Sequence, residues 1–508
     1  MAKRSATEVI TTVSNDGQAY PKASSSGDKR GAVIHDEMGE FEDAWEDEVE
    51  SDEDVVDSNA NEGEDGMDID EVMPAIEEED QPAPTNTFIP GVHQLEKDEV
   101  LEPDPSVYIM LHSTGVAWPC LSFDVLRDNL GDERQRLPAT AFIVTGTQAD
   151  IAKNNEVIVY KFDSLHRTQR DEDDSDSENE EDDEGLDEDP VVEYRSIPHS
   201  GGINRVRAQP LPSSTPLPPV TQSYHVATWA DTGKVHIWDV RPLIESLESP
   251  GYHLDKKRTQ SPVFTIDAHG RAEGFAMDWA ASSPTSLRIL TGDISSKIYL
   301  TTSTVSGFNT LSQPFTSHTS SVEDLQWSPS EPTIFASCSA DKTVQIWDVR
   351  NKGRKSVAFI DPAHESDVNV ISWNKATSNL LLTGGDDGRI KVWDLRSVQK
   401  KGSASSTPTP IASFDLHRGP ITSVEWHPTD ASAFVASGED DQVSLWDLAV
   451  EPDDDEMNSA GDAEVPPQLL FQHLGQKHVK EVHWHPQIPG MVISTAHDGF
   501  NIFKTISI

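Results

Sequence analysis

A block of characteristic residues recurs along most of the chain, and this repetition limits the folds open to it more than any other feature. In the clearest copy, His318 precedes an alternating segment that ends at Trp327, and the copy closes on Trp347-Asp348. The equivalents of Trp327 in later copies follow at spacings of 46, 53 and 58 residues: Trp373, Trp426 and Trp484. Repeats of about 40–45 residues built from short alternating segments are typical of the four-stranded blades of a β-propeller. Loops at residues 402–410 and 451–464 explain the longer spacings.

The number of repeats predicts the number of blades. Six copies align on a leading histidine: His199, His269, His318, His364, His417 and His473. Strands at residues 121–126, 141–145 and 157–162, with Tyr160 in the place of the tryptophan, supply a seventh. We therefore predict an all-β fold, a seven-bladed propeller over residues 116–508. Because an open ring would expose strand edges, a strand from residues 100–116 or the C-terminal stretch 503–508 is expected to close it.

Most blocks also carry a histidine, a serine or threonine and an aspartate, the trio that forms hydrolase triads. The clearest copies are His318, Ser337 and Asp341; His364, Thr383 and Asp387; and His417, Ser437 and Asp440. A catalytic triad is needed once, whereas this trio recurs with a tryptophan in block after block. Buried hydrogen-bond networks that join the strands of each blade would require such a recurrence. The sequence therefore predicts structural networks, no catalytic residues and no enzyme activity.

The net charge of −50 is concentrated in three segments. Residues 31–96 contain 24 acids, residues 171–189 contain 14 and residues 451–464 contain 7, which is 45 of the 89 acids. The remaining 44 acids and 39 bases give a net charge of −5, typical of a globular surface. We predict a disordered acidic arm over residues 1–87, because its few aliphatic residues cannot offset the entropy of ordering, and acidic loops at 171–189 and 451–464.

Several functions are disfavoured by composition. The two cysteines lack the spacing of a zinc site or a disulfide framework, and no segment has the ~18 consecutive apolar residues of a membrane span. His427, His483 and His485 belong to a recurring turn, so neither a metal site nor a cofactor is predicted. The basic groups 256–258 and 400–401 are short, which argues against direct nucleic-acid binding. We expect a soluble protein of a reducing, intracellular compartment.

The acidic segments suit a basic protein partner, because carboxylate-rich chains attract Lys/Arg-rich segments and speed their association. Phe41 and Trp45 interrupt the arm with aromatic rings and are candidate anchors. Candidate client contacts in the loop are Asp171, Glu172, Asp173, Asp174, Glu180, Glu181, Asp182 and Asp183. Candidate phosphorylation sites, each with an acid three residues later, are Ser51, Ser175 and Ser177.

Beyond the repeats, the chain resembles a known family. The runs Tyr108 to His112 and Trp118 to Asp124, the run Val144 to Ala149 and the acidic signature from Gly39 to Glu48 resemble the glutamate-rich WD-repeat proteins, ribosome assembly chaperones of the Rrb-one type in yeast. The resemblance covers roughly residues 36–508. It implies a nuclear and nucleolar chaperone, with a cytoplasmic pool, that captures the basic large-subunit ribosomal protein three and keeps it soluble until it joins the pre-ribosome.

The wider group contains the retinoblastoma-associated histone-binding propellers. Residues 106–112 have closely spaced apolar side chains that predict a short helix, and this wider resemblance implies an N-terminal helix over residues 88–115 that packs on the propeller. The client would be held by one face of the ring or by its central channel. Acids beside the starts of inner strands, with one tryptophan, are nominated as contacts: Glu273, Glu323, Glu365, Asp367 and Trp229. We expect a monomer that binds one client.

Two other classes of function stay open. A histone-binding chaperone would use the same acids and the same N-terminal helix. A substrate receptor of a cullin ubiquitin ligase, bound to the ligase adaptor, is indicated by Trp238 to Arg241, Trp347 to Arg350 and Trp393 to Arg396, which resemble the WDxR box of such receptors. A Trp-Asp-X-Arg sequence at the end of a blade also occurs for packing reasons.

Overall fold

The computed structural model of the 508-residue chain describes residues 103–168, 189–213, 215–281, 286–400, 408–451 and 466–507. The predicted acidic arm at 1–87 lies outside the described residues, as do nearly all of the acidic loops at 171–189 and 451–464.

The described chain is built mainly of short strands. In chain order they are β1 (Tyr108–Gly115), β2 (Ser122–Leu126), β3 (Ala139–Gly146), β4 (Glu156–Leu165), β5 (Val191–Pro198), β6 (Ile203–Ala208), β7 (His225–Ala230), β8 (Val235–Asp239), β9 (Phe264–Ile266), β10 (Ala276–Trp279), β11 (Arg288–Gly292), β12 (Ile298–Thr304), β13 (Gly307–Thr310), β14 (Val322–Trp327), β15 (Ile334–Ser339), β16 (Val344–Asp348), β17 (Ala358–Ile360), β18 (Val368–Trp373), β19 (Leu380–Gly385), β20 (Ile390–Asp394), β21 (Gln399–Lys400), β22 (Ala412–Phe414), β23 (Ile421–Trp426), β24 (Ala433–Gly438), β25 (Val443–Asp447), β26 (Leu469–His473), β27 (Glu481–Trp484), β28 (Met491–Thr495) and β29 (Gly499–Thr505). Helices α1 (Arg241–Glu248) and α2 (Lys256–Thr259) lie between β8 and β9.

These strands form seven antiparallel sheets, the blades of the predicted propeller. Blade 1 is β2–β5, blade 2 is β6–β9, blade 3 is β10–β13, blade 4 is β14–β17, blade 5 is β18–β20 with β22, blade 6 is β23–β26, and blade 7 is β27–β29 with β1. The two-residue strand β21 adds to the outside of blade 4 by pairing with β17. We call the face at which the innermost strand of each blade begins the upper face, and the opposite one the lower face.

The two ends of the chain close the ring together. Strand β1 pairs antiparallel with β29, from Tyr108 opposite Thr505 to Gly115 opposite Gly499, so an N-terminal strand completes the last blade. Both segments considered for closure therefore take part. The helix predicted for residues 106–112 is wrong: Pro105–Val107 form a single 3-10 turn and the rest is β1. Pairing with β29 decides the conformation of this apolar run, because tertiary hydrogen bonds override local preference.

The hydrophobic core lies between the blades. Successive residues of a strand face opposite sides of its sheet, so one blade contacts two neighbours. In blade 4, Phe335 packs with Leu290 of blade 3, and the next residue, Ala336, packs in the cluster that contains Ile371 of blade 5. No blade can bury both of its faces alone, which is why the seven repeats are stable only as a ring. Within the described residues, no helix is long and apolar enough to cross a membrane.

Candidate protein-binding site

The recurring histidine, serine and tryptophan form a buried network inside a blade. In blade 4, His318 Nε2 lies 2.6 Å from Ser337 Oγ, and His318 Nδ1 lies 2.9 Å from Asp341 Oδ2. Trp347 Nε1 donates to the same Ser337 Oγ at 2.8 Å. Blade 5 repeats the arrangement with His364, Thr383, Asp387 and Trp393. The hydroxyl that would act as a nucleophile is fully buried and already accepts the indole N–H, so it cannot meet a substrate.

Other blades depart from this pattern. In blade 6, Ser444 accepts from Trp446 and contacts His417, whereas the predicted Ser437 contacts Thr422, so the assignment of Ser437 is corrected. Ser444 comes from the third strand of the blade and Ser437 from the second. Both side chains reach the same buried layer, and spacing alone cannot tell them apart.

Two further blades replace network members. In blade 3, Tyr299 packs edge-on against His269 at 4.7 Å. In blade 7, His473 lies 2.8 Å from the Tyr108 hydroxyl of β1 and stacks on Phe503 at 4.2 Å. Blade 7 therefore uses its network to hold the closing strand.

Buried carboxylates of the central channel join blade to blade. Each accepts a backbone N–H from the next blade of the ring, and the pairs, acceptor first, are Asp124 with Ala208, Asp278 with Trp327, Asp324 with Ile371, Glu425 with Trp484, and Glu481 with Phe123. Ser372 joins blades 5 and 6 in the same way, and Arg205 donates from blade 2 to a carbonyl of blade 3. These acids hold the ring together and are already occupied, which makes them poor candidates for client contacts.

A charge cluster at blade 7 closes this inner ring. Glu481 accepts from Arg205 at 2.9 Å and from Arg207 at 2.7 Å, and His483 lies 2.9 Å from Glu425 and 3.6 Å from Glu481. Burial by itself would lower the pKa of His483, but Glu425 and Glu481 raise it to about 10. His483 is therefore a cation at neutral pH. Sequence reasoning missed this cluster because its members come from blades 2, 6 and 7.

The nominated acids lie at the upper face. Glu323 and Asp367 come close together at the inner ends of blades 4 and 5, beside Asp386. Burial raises the pKa of Glu323, and Asp367 and Asp386 act in the same direction. Glu365 is exposed and pairs with Arg389 at 3.1 Å, and Glu273 is half-buried before β10. An acidic patch on blades 4 and 5 is therefore available to a basic side chain.

Trp229 does not fit its nominated role as an aromatic contact. Its side chain is 0% exposed and packs on His269 at 4.5 Å between the rings, so this prediction is corrected. The remaining candidates, from the arm and its acidic loop, lie outside the described residues: Phe41, Trp45, Ser51, Ser175, Ser177, Asp171, Glu172, Asp173, Asp174, Glu180, Glu181, Asp182 and Asp183.

The points at which the acidic segments join the propeller lie in one sector. The loop of blade 1 connects β4 to β5, and the loop of blade 6 connects β25 to β26. The third strand of a blade runs in the same direction as the first, so both loops leave from the lower face. Strand β1 of blade 7, which follows the N-terminal arm, also begins at the lower face, with Tyr108 opposite Thr505. All three attachment points therefore belong to the consecutive blades 6, 7 and 1.

The predicted turn histidines have structural contacts. His427 Nδ1 accepts from the Asp430 N–H at 2.9 Å, and His485 Nδ1 accepts from two backbone N–H groups. Among the residues that the structure describes, no group of three or more His, Cys, Asp or Glu side chains could hold a metal ion.

The three Trp-Asp-X-Arg sequences are not equivalent. Arg350 and Arg396 each bind both carboxylate oxygens of the preceding aspartate and keep 68% and 76% of their side chains exposed. The Arg241 side chain is only 6% exposed and donates to Glu245. Two adjacent blades, 4 and 5, thus present the same Asp–Arg pair at the lower face.

Known proteins match the chain along its whole length. A family profile for "Histone-binding protein RBBP4" and its counterpart in the CAF1 complex matches residues 98–166, and a "WD domain, G-beta repeat" profile matches residues 309–348, 355–394 and 408–447. The chain is 46% identical over 513 residues to "Ribosome assembly protein rrb1" of Schizosaccharomyces pombe, with all of both chains covered. The chain belongs to the Rrb1-type glutamate-rich WD-repeat family.

Two further relatives are similar over most of the chain. The Rrb1-type chain is 42% identical to "Glutamate-rich WD repeat-containing protein 1" of Dictyostelium discoideum over 83% of its length and 85% of the relative's. It is also 42% identical to "Protein HEAT STRESS TOLERANT DWD 1" of Arabidopsis thaliana, over 84% of its length and 92% of the relative's. As a member of the Rrb1-type family it is a non-enzymatic WD-repeat protein, as the sequence predicted.

Proposed function

We propose that this protein is a ribosome assembly chaperone that binds the basic large-subunit ribosomal protein three and keeps it soluble until it joins the pre-ribosome. One observation carries the proposal: the three acidic segments join the propeller at the lower face of the consecutive blades 6, 7 and 1. The full-length similarity to a ribosome assembly protein supports the same role.

Electrostatics gives the proposed mechanism. Forty-five carboxylates tethered to one sector attract a Lys/Arg-rich client over distances near the Debye length of about 8–10 Å and speed its capture. The rigid propeller supplies specific contacts, including the acidic patch of Glu323 and Asp367, and the chaperone acts as a monomer on one client. This role places it in the nucleus and nucleolus, with a cytoplasmic pool for capture.

Affinity purification of the tagged full-length chain tests the proposal. We compare the wild-type chain with one in which the acids of residues 31–96 are replaced by their amides, and with a control that lacks only residues 1–30. Mass spectrometry at physiological salt should find ribosomal protein three as the dominant partner of the wild type and the control, and much less of it with the neutralised chain. Dominance of core histones, or recovery of the ribosomal protein by no variant, would refute the assignment.

The exposed Asp–Arg pairs of blades 4 and 5 favour a second candidate, a substrate receptor of a cullin ubiquitin ligase. The test is co-purification of the ligase adaptor with the wild type and with the double variant Arg350→Ala/Arg396→Ala. Arg418→Ala, an exposed arginine of the upper face, is the control. Loss of the adaptor in the double variant alone would favour this candidate. Its absence from every sample would exclude it.

The profile match at residues 98–166 favours a histone-binding chaperone as a third candidate. Core histones replacing the ribosomal protein in the same purification would support it.

A further inference from the structure

An apolar groove runs along the outside of the ring between blades 7 and 1. It consists of two adjoining cavities of about 690 and 330 Å³, which share Val116, Tyr160 and Val192. The larger cavity reaches the upper face at Trp118, and the smaller one ends near the lower face at Asp189. Strand β1 forms one wall, and β4 and β5 form the other.

The apolar wall follows from the alternation of β4 and β5. Tyr160 lies opposite Tyr194, and Phe162 lies opposite Val192, so these four side chains share one face of blade 1. Further inward on this face, Phe162 and Phe500 of blade 7 pack together at 6.3 Å. At the rim, Tyr194 remains 56% exposed and Val192 40% exposed.

The opposite wall does not cover them, because the upper half of β1 carries the small residues Ser113, Thr114 and Gly115. Contiguous apolar side chains left on an outer strand mark a binding surface more often than isolated ones do.

Both walls end in strands that pair on one side only. Strand β1 is the outermost strand of blade 7 and β5 that of blade 1, so in the described residues each has an edge to which no other strand is paired. At its lower end, β1 is held by the segment after β4, where Thr168 N–H donates to Ile109 O at 3.1 Å. Above this contact an extended peptide can follow the wall and place every second side chain between the blades.

Charge indicates the kind of peptide. The chain leaves blade 1 at Thr168, against β1, and returns at Asp189, which lines the groove. The sequence between these two points includes 13 of the 14 acids of residues 171–189, so the lower end of the groove adjoins a strongly negative segment. An acidic occupant, such as this chain's own arm, would be repelled, whereas lysine or arginine beside the apolar residues would be attracted.

We propose that this groove binds an extended segment of a basic protein in which bulky apolar residues alternate with lysine or arginine. The inference that this segment belongs to the captured client rests on the proposed function. The binding chemistry does not, and it can be measured with a synthetic probe.

The test uses the full-length chain and fluorescent 12-residue peptides. One peptide alternates valine with lysine, the second alternates serine with lysine, and the third covers residues 36–47 of this chain. The double variant Tyr194→Ser/Val192→Ser removes the exposed apolar rim, and Ile411→Ser, at a position with a similar exposure of 58% on blade 5, is the matched control.

We expect the wild type and Ile411→Ser to prefer the valine–lysine peptide to the serine–lysine peptide. We expect the double variant to bind the valine–lysine peptide about tenfold more weakly, the loss typical of a central apolar contact. Equal binding of the two lysine peptides, an unchanged affinity in the double variant, or equally tight binding of the acidic peptide would each overturn the proposal. A circular dichroism melt of each variant separates loss of binding from loss of fold.

A second measurement separates this proposal from the proposed function. Purified ribosomal protein three is titrated with the same variants. Binding that is unchanged in the double variant would leave the chaperone role intact and remove the groove from it. If the wild type bound the valine–lysine peptide and not the ribosomal protein, the groove would stand and the client assignment would fall.

Discussion

At the scale of single residues, one hydroxyl decides whether a blade's network forms. Ser337 of blade 4 and Ser444 of blade 6 each contact a histidine and accept an indole N–H, although they come from different strands. Ser437, equally buried, has only Thr422 as its side-chain partner. The network therefore selects a position in space, which two places in the sequence can occupy.

This difference gives a prediction with an internal control. Ser337→Ala and Ser444→Ala should each lower the free energy of unfolding by about 1–3 kcal/mol, because the indole N–H and the imidazole lose a buried partner. Ser437→Ala should have a smaller effect, since it releases only Thr422. Chemical denaturation of the three variants checks this order, and an equal loss in all three would contradict it.

The charge of His483 gives a second residue-scale prediction. Its pKa is about 10 in the folded protein against an ordinary value of 6.5, so its contribution to stability is complete below pH 6.5 and is lost as the pH rises through 10. His483→Gln should be less stable than the wild type by about 3–5 kcal/mol near pH 6.5, because Glu425 and Glu481 lose a buried cation. The difference should shrink towards pH 10.

Asp278→Asn is the control for this pH dependence. Burial raises the pKa of Asp278 to about 7, so its favourable contribution is present below about pH 4 and is lost as the pH rises through 7. Unfolding free energies measured from pH 4 to 10 should therefore show two separate windows. A His483→Gln curve parallel to that of the wild type between pH 6.5 and 10 would show that His483 carries no charge.

At the scale of elements, strand β1 decides whether the ring closes. Its Tyr108 and Met110 side chains are 4% and 0% exposed, and it covers the edge of β29. Removing residues 1–115 should therefore lower the free energy of unfolding by about 5 kcal/mol or more, a large share of the 5–15 kcal/mol of an ordinary domain.

Removing residues 1–102 is the matched control for β1, because it leaves the strand in place. Its thermal midpoint should stay within a few degrees of that of the full chain. Similar midpoints for the two truncations, measured by calorimetry, would show that β1 is dispensable.

At the scale of the whole molecule, charge and shape are separated. The blades carry a nearly balanced charge, whereas the acids are concentrated in segments that join blades 6, 7 and 1. Long-range attraction to a basic client should therefore arise from these segments, and discrimination among clients from the propeller surface.

This separation predicts the salt dependence of client capture. Raising the salt concentration from about 0.05 to 0.5 M should slow association with ribosomal protein three roughly tenfold or more. Replacing the acids of residues 171–189 and 451–464 by their amides should flatten that dependence, while the dissociation rate changes little. Stopped-flow measurements decide this, and an equally steep dependence in the neutralised chain would assign the attraction to the propeller.

The repeat by itself determined the fold class, the seven blades and the structural role of the histidine networks, because alternation and spacing are local properties that every blade must satisfy. Its charge pattern also marked the acidic segments. Only the tertiary structure decided that residues 108–115 form a strand, that Ser444 replaces Ser437, that Trp229 is buried and that β1, β4 and β5 form a groove. Each of these depends on contacts between blades, often hundreds of residues apart, and such contacts leave no periodic trace in the sequence.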